Sequence, residues 1–278
     1  MSASCIAYAS AYVLSLYVFV PAKIRALDRS DPVQIRARLI SVSIATLLIL
    51  LHFLFFTTHS LPPQSILSHL ILSYSHILHC VSLFLGPIIA ITLSAYKRPD
   101  LPFLPSLNRE WLYHAGLLNG LTLAKVRDLI VGPLTEEIVF RYCVVQILFA
   151  TKSYTQMELI LIAPTFFGLA HVHHAIRTYR GAPPINLQDA MLKVILPTVF
   201  QFTYTYLFGI YTSYVMLLGV EAGRNNLLEC WVIHGFCNLM GVPMCSFLPP
   251  DSHIHEYRRW LLLAHALGVV VFWVGFKI

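Results

Sequence analysis

Apolar runs long enough to cross a bilayer recur along this sequence from near Met1 to the C-terminus, and that recurrence limits the fold more than any other feature. A spanning helix needs about 20 mostly apolar residues. In hydrocarbon only helices and closed barrels satisfy every backbone polar group. The 278 residues are 57% hydrophobic and 12% charged, with a mean hydropathy of +0.70, whereas charged residues make up roughly a quarter of soluble domains. Lipid is therefore the solvent for most of the chain. No polar stretch is long enough to fold separately, so the expectation is one all-α membrane domain over residues 1–278, a polytopic transmembrane helical bundle.

Eight spans fit the pattern: Cys5 to Ala22, Leu39 to Thr58, Ile77 to Ala95, Leu129 to Ala150, Leu159 to Val172, Val194 to Val220, Leu227 to Gly241 and Trp260 to Phe276. Cys5 to Ala22 has no basic stretch before it and Lys23 and Arg25 after it, so it reads as a retained first span with its N-terminus outside. With that orientation fifteen of the 19 Lys and Arg, Lys23 and Arg259 among them, fall on the cytoplasmic side. Only Lys152, Arg224 and Lys277 fall on the other, as the positive-inside rule requires. The segment from Pro99 to Thr122 is mixed in polarity and is expected at the cytoplasmic interface, with Trp111 and Tyr113 as belt aromatics. A net charge of +6 does not point to nucleic acid, because the basic residues sit in short loops rather than along one face. The six cysteines are scattered, without CxxC spacing, and read as small apolar groups.

The remaining basic residue, Arg141, lies inside the fourth span with Glu136 and Glu137. A charge at mid-membrane costs about 2.5 to 3.5 kcal/mol on insertion scales, so three ionisable groups within six residues need a reason. Glu137 and Arg141 are four apart, in the favourable order for an ion pair. Glu136 points about a third of a turn away from that pair, so the two adjacent acids are expected to differ in protonation behaviour. The fifth span ends Phe167-Gly168-Leu169-Ala170-His171, and the seventh places His234 and Asn238 four apart, with Gly235 leaving room for close helix approach. Burying such groups against lipid is costly, so they are expected to converge.

Such a set has the parts for amide hydrolysis without a covalent intermediate. One carboxylate and one His polarise a water, while another His and an Asn donate hydrogen bonds to the developing oxyanion. A helix-locking polar network without chemistry uses the same residues. A zinc site of His171, His234 and a Glu is a further alternative, opposed by the absence of HExxH and by the cation of Arg141. No GxSxG elbow is present, and nothing in the sequence activates Cys143 or Cys237. A proton-coupled transporter would show paired inverted halves, but the polar spans cluster in the second half.

The pattern EExxxR at Glu136 to Arg141, FxxxH at Phe167 to His171 and HxxxN at His234 to Asn238 resembles the type II CAAX prenyl endopeptidase family, within the wider group of glutamate-dependent intramembrane proteins. The resemblance covers Trp111 to Gly241, the expected catalytic core, and is carried within it also by Phe200 to Thr205. It implies an endoplasmic-reticulum membrane enzyme that works without a metal or other cofactor and whose site is open to the cytosol. Its substrates would be farnesylated or geranylgeranylated CAAX proteins, from which it removes the last three residues. By the family's mechanism Glu136 and His171 activate water, His234 and Asn238 stabilise the oxyanion, and Glu137 with Arg141 supports them. Phe167, Gln201 and Tyr204 are the candidate substrate-binding residues. A family member that serves only as a membrane scaffold would carry the same motifs.

Overall fold

Helices follow one another along the whole described chain, in a computed structural model that describes residues 2–57, 74–97, 102–118, 120–181, 183–243 and 245–276. Thr58, Arg98, Pro99 and Lys277, which figured in the expected spans and loops, lie outside the described residues. In chain order the helices are α1 (Ser2–Val18), α2 (Ala22–Arg25), α3 (Pro32–His52), α4 (Tyr74–Ser82), α5 (Leu85–Tyr96), α6 (Phe103–His114) and α7 (Leu123–Val126). There follow α8 (Gly132–Glu137), α9 (Val144–Ala150), α10 (Gln156–His171), α11 (His173–Gly181), α12 (Leu187–Ala190), α13 (Leu196–Glu221), α14 (Leu227–Met240) and α15 (Arg258–Gly275). No strand occurs among the described residues.

Four helical stretches are long and apolar enough to cross a membrane: Pro32–Phe56, Gln156–Gly181, Leu187–Glu221 and His255–Gly275. The pair α4 and α5, bent by 73°, makes a fifth if counted as one span. These correspond to the second, fifth, sixth, eighth and third expected spans. Ala3–Val18 and Leu227–Met240 are apolar but shorter, and the fourth expected span is helical yet carries Glu136, Glu137 and Arg141. The protein is thus a multi-pass membrane protein of helices, and the count of eight is not established by length and hydropathy alone. The break between α4 and α5 falls at Leu83-Phe84, and Pro87 follows in the first turn of α5, where proline is tolerated because a first helical turn has no use for its missing N–H.

Contacts divide the chain into two compact units, interleaved in sequence: Met1–Leu72 with Val131–Trp231, and Ser73–Ile130 with Val232–Ile278. In the first, α10 packs along α13 so closely that a Cβ on Gly209 would lie 2.8 Å from Pro164 Cβ. The start of α10 is fixed by a capping box: Thr155 Oγ1 accepts from Glu158 N–H, and Glu158 Oε2 accepts from Thr155 N–H at 2.8 Å. Asp31 caps α3, accepting from Val33 and Gln34 N–H. In the second unit, Ala90, Phe247, Ile254 and Leu261 form a small apolar core. There Ser106 on α6 donates to the Ala95 carbonyl at 2.8 Å, tying the expected interfacial segment to the end of α5.

Candidate active site

Glu136, Glu137 and Arg141 lie where the chain leaves α8 and winds as a π-helix from Ile138 to Cys143. Such wide turns within helices recur at functional sites. Glu137 and Arg141 are fully buried, and Arg141 Nε is 3.2 Å from Glu137 Oε2. Arg141 Nε also donates to Thr212 Oγ1 on α13 at 2.8 Å. The guanidinium lies over the Phe167 ring at 4.1 Å and the Phe208 ring at 5.4 Å, two cation–π contacts in a desolvated setting. Glu137 and Arg141 thus form the locked ion pair that their spacing implied. Glu136, one residue earlier, is half-buried.

His171 closes α10 and is half-buried. Its Nδ1 lies 2.8 Å from the Phe167 carbonyl, which can only accept, so Nδ1 carries a proton and the neutral imidazole has its lone pair on Nε2. The Phe167 ring meets the imidazole edge to face at 4.6 Å and Phe140 at 5.3 Å. At 1% exposure Phe167 is a backing for Arg141 and His171, with no open face of its own. Gln201 and Tyr204 are both half-buried on α13, where Tyr204 stacks against Phe200 at 6.4 Å. All of these belong to the first unit.

His234 and Asn238 lie on α14, in the second unit. His234 is buried and Asn238 exposed. Asn238 Nδ2 donates to the Asp128 carbonyl at 2.8 Å, which orients the amide and leaves its second hydrogen for another acceptor. The close approach expected at Gly235 is present, since a Cβ there would be 2.8 Å from the Leu129 carbonyl oxygen. Cys237 packs against Cys80, with 3.6 Å between their sulfurs, and Cys143 is fully enclosed. Among the described residues no three His, Cys, Asp or Glu side chains are close enough together to hold a metal ion.

Sequence reasoning missed four residues of the first unit. Thr212 and Phe208 complete the surroundings of Arg141, and a lone Thr or Phe in an apolar helix gives no signal of that task. Tyr12 Oη and Thr135 Oγ1 are 3.0 Å apart, and Thr135 itself donates to a backbone carbonyl of the preceding turn, so Tyr12 is the donor. This bond ties α1 to the residue immediately before Glu136, in a helix for which the motifs give no warning.

Comparison with known proteins agrees with the three motifs. Residues 118–240 match the family described as type II CAAX prenyl endopeptidase Rce1-like. The chain is 31% identical over 280 residues to the probable CAAX prenyl protease 2 of Schizosaccharomyces pombe, covering 98% of this chain and 90% of that protein. It is 31% identical over 281 residues to human CAAX prenyl protease 2, covering 97% and 78%. Against the Saccharomyces cerevisiae CAAX prenyl protease 2 it is 30% identical over 169 residues, covering 59% and 47%. No solved structure matches the chain significantly. With similarity of this extent to both the fission-yeast and the human proteins, the chain belongs to the type II CAAX prenyl endopeptidase family.

Proposed function

We propose that this protein removes the C-terminal tripeptide of prenylated CAAX proteins, with Glu136 and His171 activating the attacking water. The observation that carries this reading is the unequal setting of the two adjacent glutamates. Glu137 is sealed in an ion pair with Arg141, whereas Glu136 is half-buried beside it. A sealed carboxylate supports; a half-buried one reaches water and substrate. His171 adds a base whose tautomer is set by the Phe167 carbonyl, with its Nε2 lone pair turned away from its own helix backbone.

In the reaction, the water gives its proton to the Glu136–His171 pair as its oxygen attacks the scissile carbonyl carbon. The carbonyl oxygen, now anionic, accepts hydrogen bonds from His234 and from the second Nδ2 hydrogen of Asn238. Collapse of the tetrahedral intermediate breaks the C–N bond, and the retained proton goes to the leaving amine. Gln201 and Tyr204 are the substrate wall, and Phe167 backs His171 from behind. A prenyl chain belongs in lipid while its peptide needs water, so the site opens to the cytosol from the endoplasmic-reticulum membrane, with the N- and C-termini on the far side. Farnesyl- and geranylgeranyl-cysteine both satisfy this chemistry.

The direct test is to incubate washed membranes containing the protein with a farnesylated CAAX peptide and to detect the released tripeptide. Release by the natural protein and loss in Glu136→Gln at equal protein level is the expected result. Full activity in Glu136→Gln would sink the assignment.

A further inference from the structure

Glu136 stands beside a discontinuity in its helix. Before it α8 runs only from Gly132 to Glu137, and after it the chain winds as a π-helix from Ile138 to Cys143. Tyr12 of α1 grips this segment at two points. Its hydroxyl donates to Thr135 Oγ1 at 3.0 Å, one residue before Glu136, and its ring meets that of Phe140, four residues after Glu136, edge to face at 5.6 Å. Thr135 is held in turn, with its Oγ1 2.9 Å from the Val131 carbonyl and 3.0 Å from that of Gly132. Tyr12, Thr135 and Phe140 are all buried. Tyr12 also has a fixed seat: Ser15 Oγ donates to its carbonyl at 2.7 Å, and Ser41 Oγ on α3 donates to the Ser15 carbonyl at 2.6 Å. Phe140 then leads to the other reacting residue, since its ring is 5.3 Å from that of Phe167, whose carbonyl holds His171 Nδ1. All of these groups belong to the first unit.

A phenylalanine at position 12 would pack against Phe140 equally well, so the hydroxyl adds direction rather than area. Burying a hydroxyl is costly unless it is hydrogen-bonded, and the bond restricts the distance and angle at which the two helices meet. We infer that Tyr12 is a positioning residue for the reaction: through Thr135 and Phe140 it fixes the segment that carries Glu136 relative to the Phe167 turn that carries His171. The inference rests on the endopeptidase reading above, which makes Glu136 and His171 partners on one water. A misplacement of about 1 Å costs up to about 10²-fold in rate, so two groups that share a water must keep their separation. A helix that changes from α to π winding beside its reacting residue gains from an outside reference, and Tyr12 supplies one. Tyr12 touches neither the water nor the substrate in this role.

The test uses the full chain in washed membranes, with tripeptide release from a farnesylated CAAX peptide expressed per folded enzyme. Tyr12→Phe is expected to lower kcat by about tenfold, within the range set by a displacement below about 1 Å, and to leave KM unchanged. Thr135→Val, which withdraws the acceptor, should lose as much, and Thr135→Ser, which keeps it, should retain most of kcat. Because the two side chains act through one bond, Tyr12→Phe/Thr135→Val should lose no more than either single variant. Tyr8→Phe is the control: it removes a 2.8 Å hydrogen bond from the same helix to His52 on α3 and should leave kcat at the natural level. Natural kcat per folded enzyme in Tyr12→Phe, a change confined to KM, additive losses in the double variant, or an equal loss in Tyr8→Phe would each overturn the role and leave the endopeptidase reading in place. Should Tyr12→Phe not fold, the two Thr135 variants decide: a lower kcat in Thr135→Val than in Thr135→Ser upholds the role, and equal values overturn it. Absence of tripeptide release by the natural protein would overturn both readings.

Discussion

Two ends of one constellation in the first unit are built on opposite principles. Around Arg141 everything is closed: Glu137 and Arg141 are buried, Thr212 takes the Nε hydrogen, and two aromatic rings cover the guanidinium. Around His171 the groups are half-buried, and the hydrogen bond they make is to the backbone of their own turn. Phe167 touches both, with one ring face on Arg141 and an edge contact to His171. A membrane enzyme needs both kinds of region. The dry end holds geometry that water would loosen, and on the proposed mechanism the open end is where water enters.

The contrast makes His171 a matter of rate and Arg141 a matter of stability. Replacing His171 with Ala should lower tripeptide release by about 10²- to 10⁴-fold at normal protein level and unchanged melting in detergent; a variant that melts early instead would move His171 to the structural side. Arg141→Met should remove about 3 to 5 kcal/mol of stability, because it leaves Glu137 buried without its cation. Thermal unfolding in detergent measures this, and adding Glu137→Gln should recover part of the loss. Thr212→Val, which withdraws the acceptor from Arg141 Nε, should cost about 1 to 3 kcal/mol and affect activity only in proportion to folded protein. The smallest expected effect is that of a chelator: prolonged treatment of washed membranes should leave tripeptide release unchanged. Inactivation reversed by zinc would replace the water-activating pair with a metal.

The closed end was the more legible in sequence. Charges in an apolar helix stand out by cost alone, and the four-residue spacing of Glu137 and Arg141 already implies their pairing. The π winding from Ile138 to Cys143 has no counterpart in the spacing of the motif. Thr212 and Phe208 were not readable either, being ordinary members of an apolar face some seventy residues away in sequence. Likewise, the hydropathy of Ile77 to Ala95 reads as one uninterrupted span, although the structure bends by 73° between Ser82 and Leu85. Tyr12 belongs to the same class as Thr212, because its value depends on Thr135, and no local pattern announces a partner that distant. The interleaving of the two units is a property of long-range contacts that no window of sequence contains.

The burial of Arg141 also bears on how the protein is made. The segment that carries Glu136, Glu137 and Arg141 leaves the ribosome before Phe167, Phe208 and Thr212 have been synthesised. Three charges at about 2.5 to 3.5 kcal/mol each oppose its entry into lipid alone. It must therefore wait at the translocation machinery, or in another water-lined or protein-lined setting, until α10 and α13 arrive. Membrane insertion of this chain is then an assembly step, in which the helix bearing the three charges is among the last to settle although it is far from the last to be made.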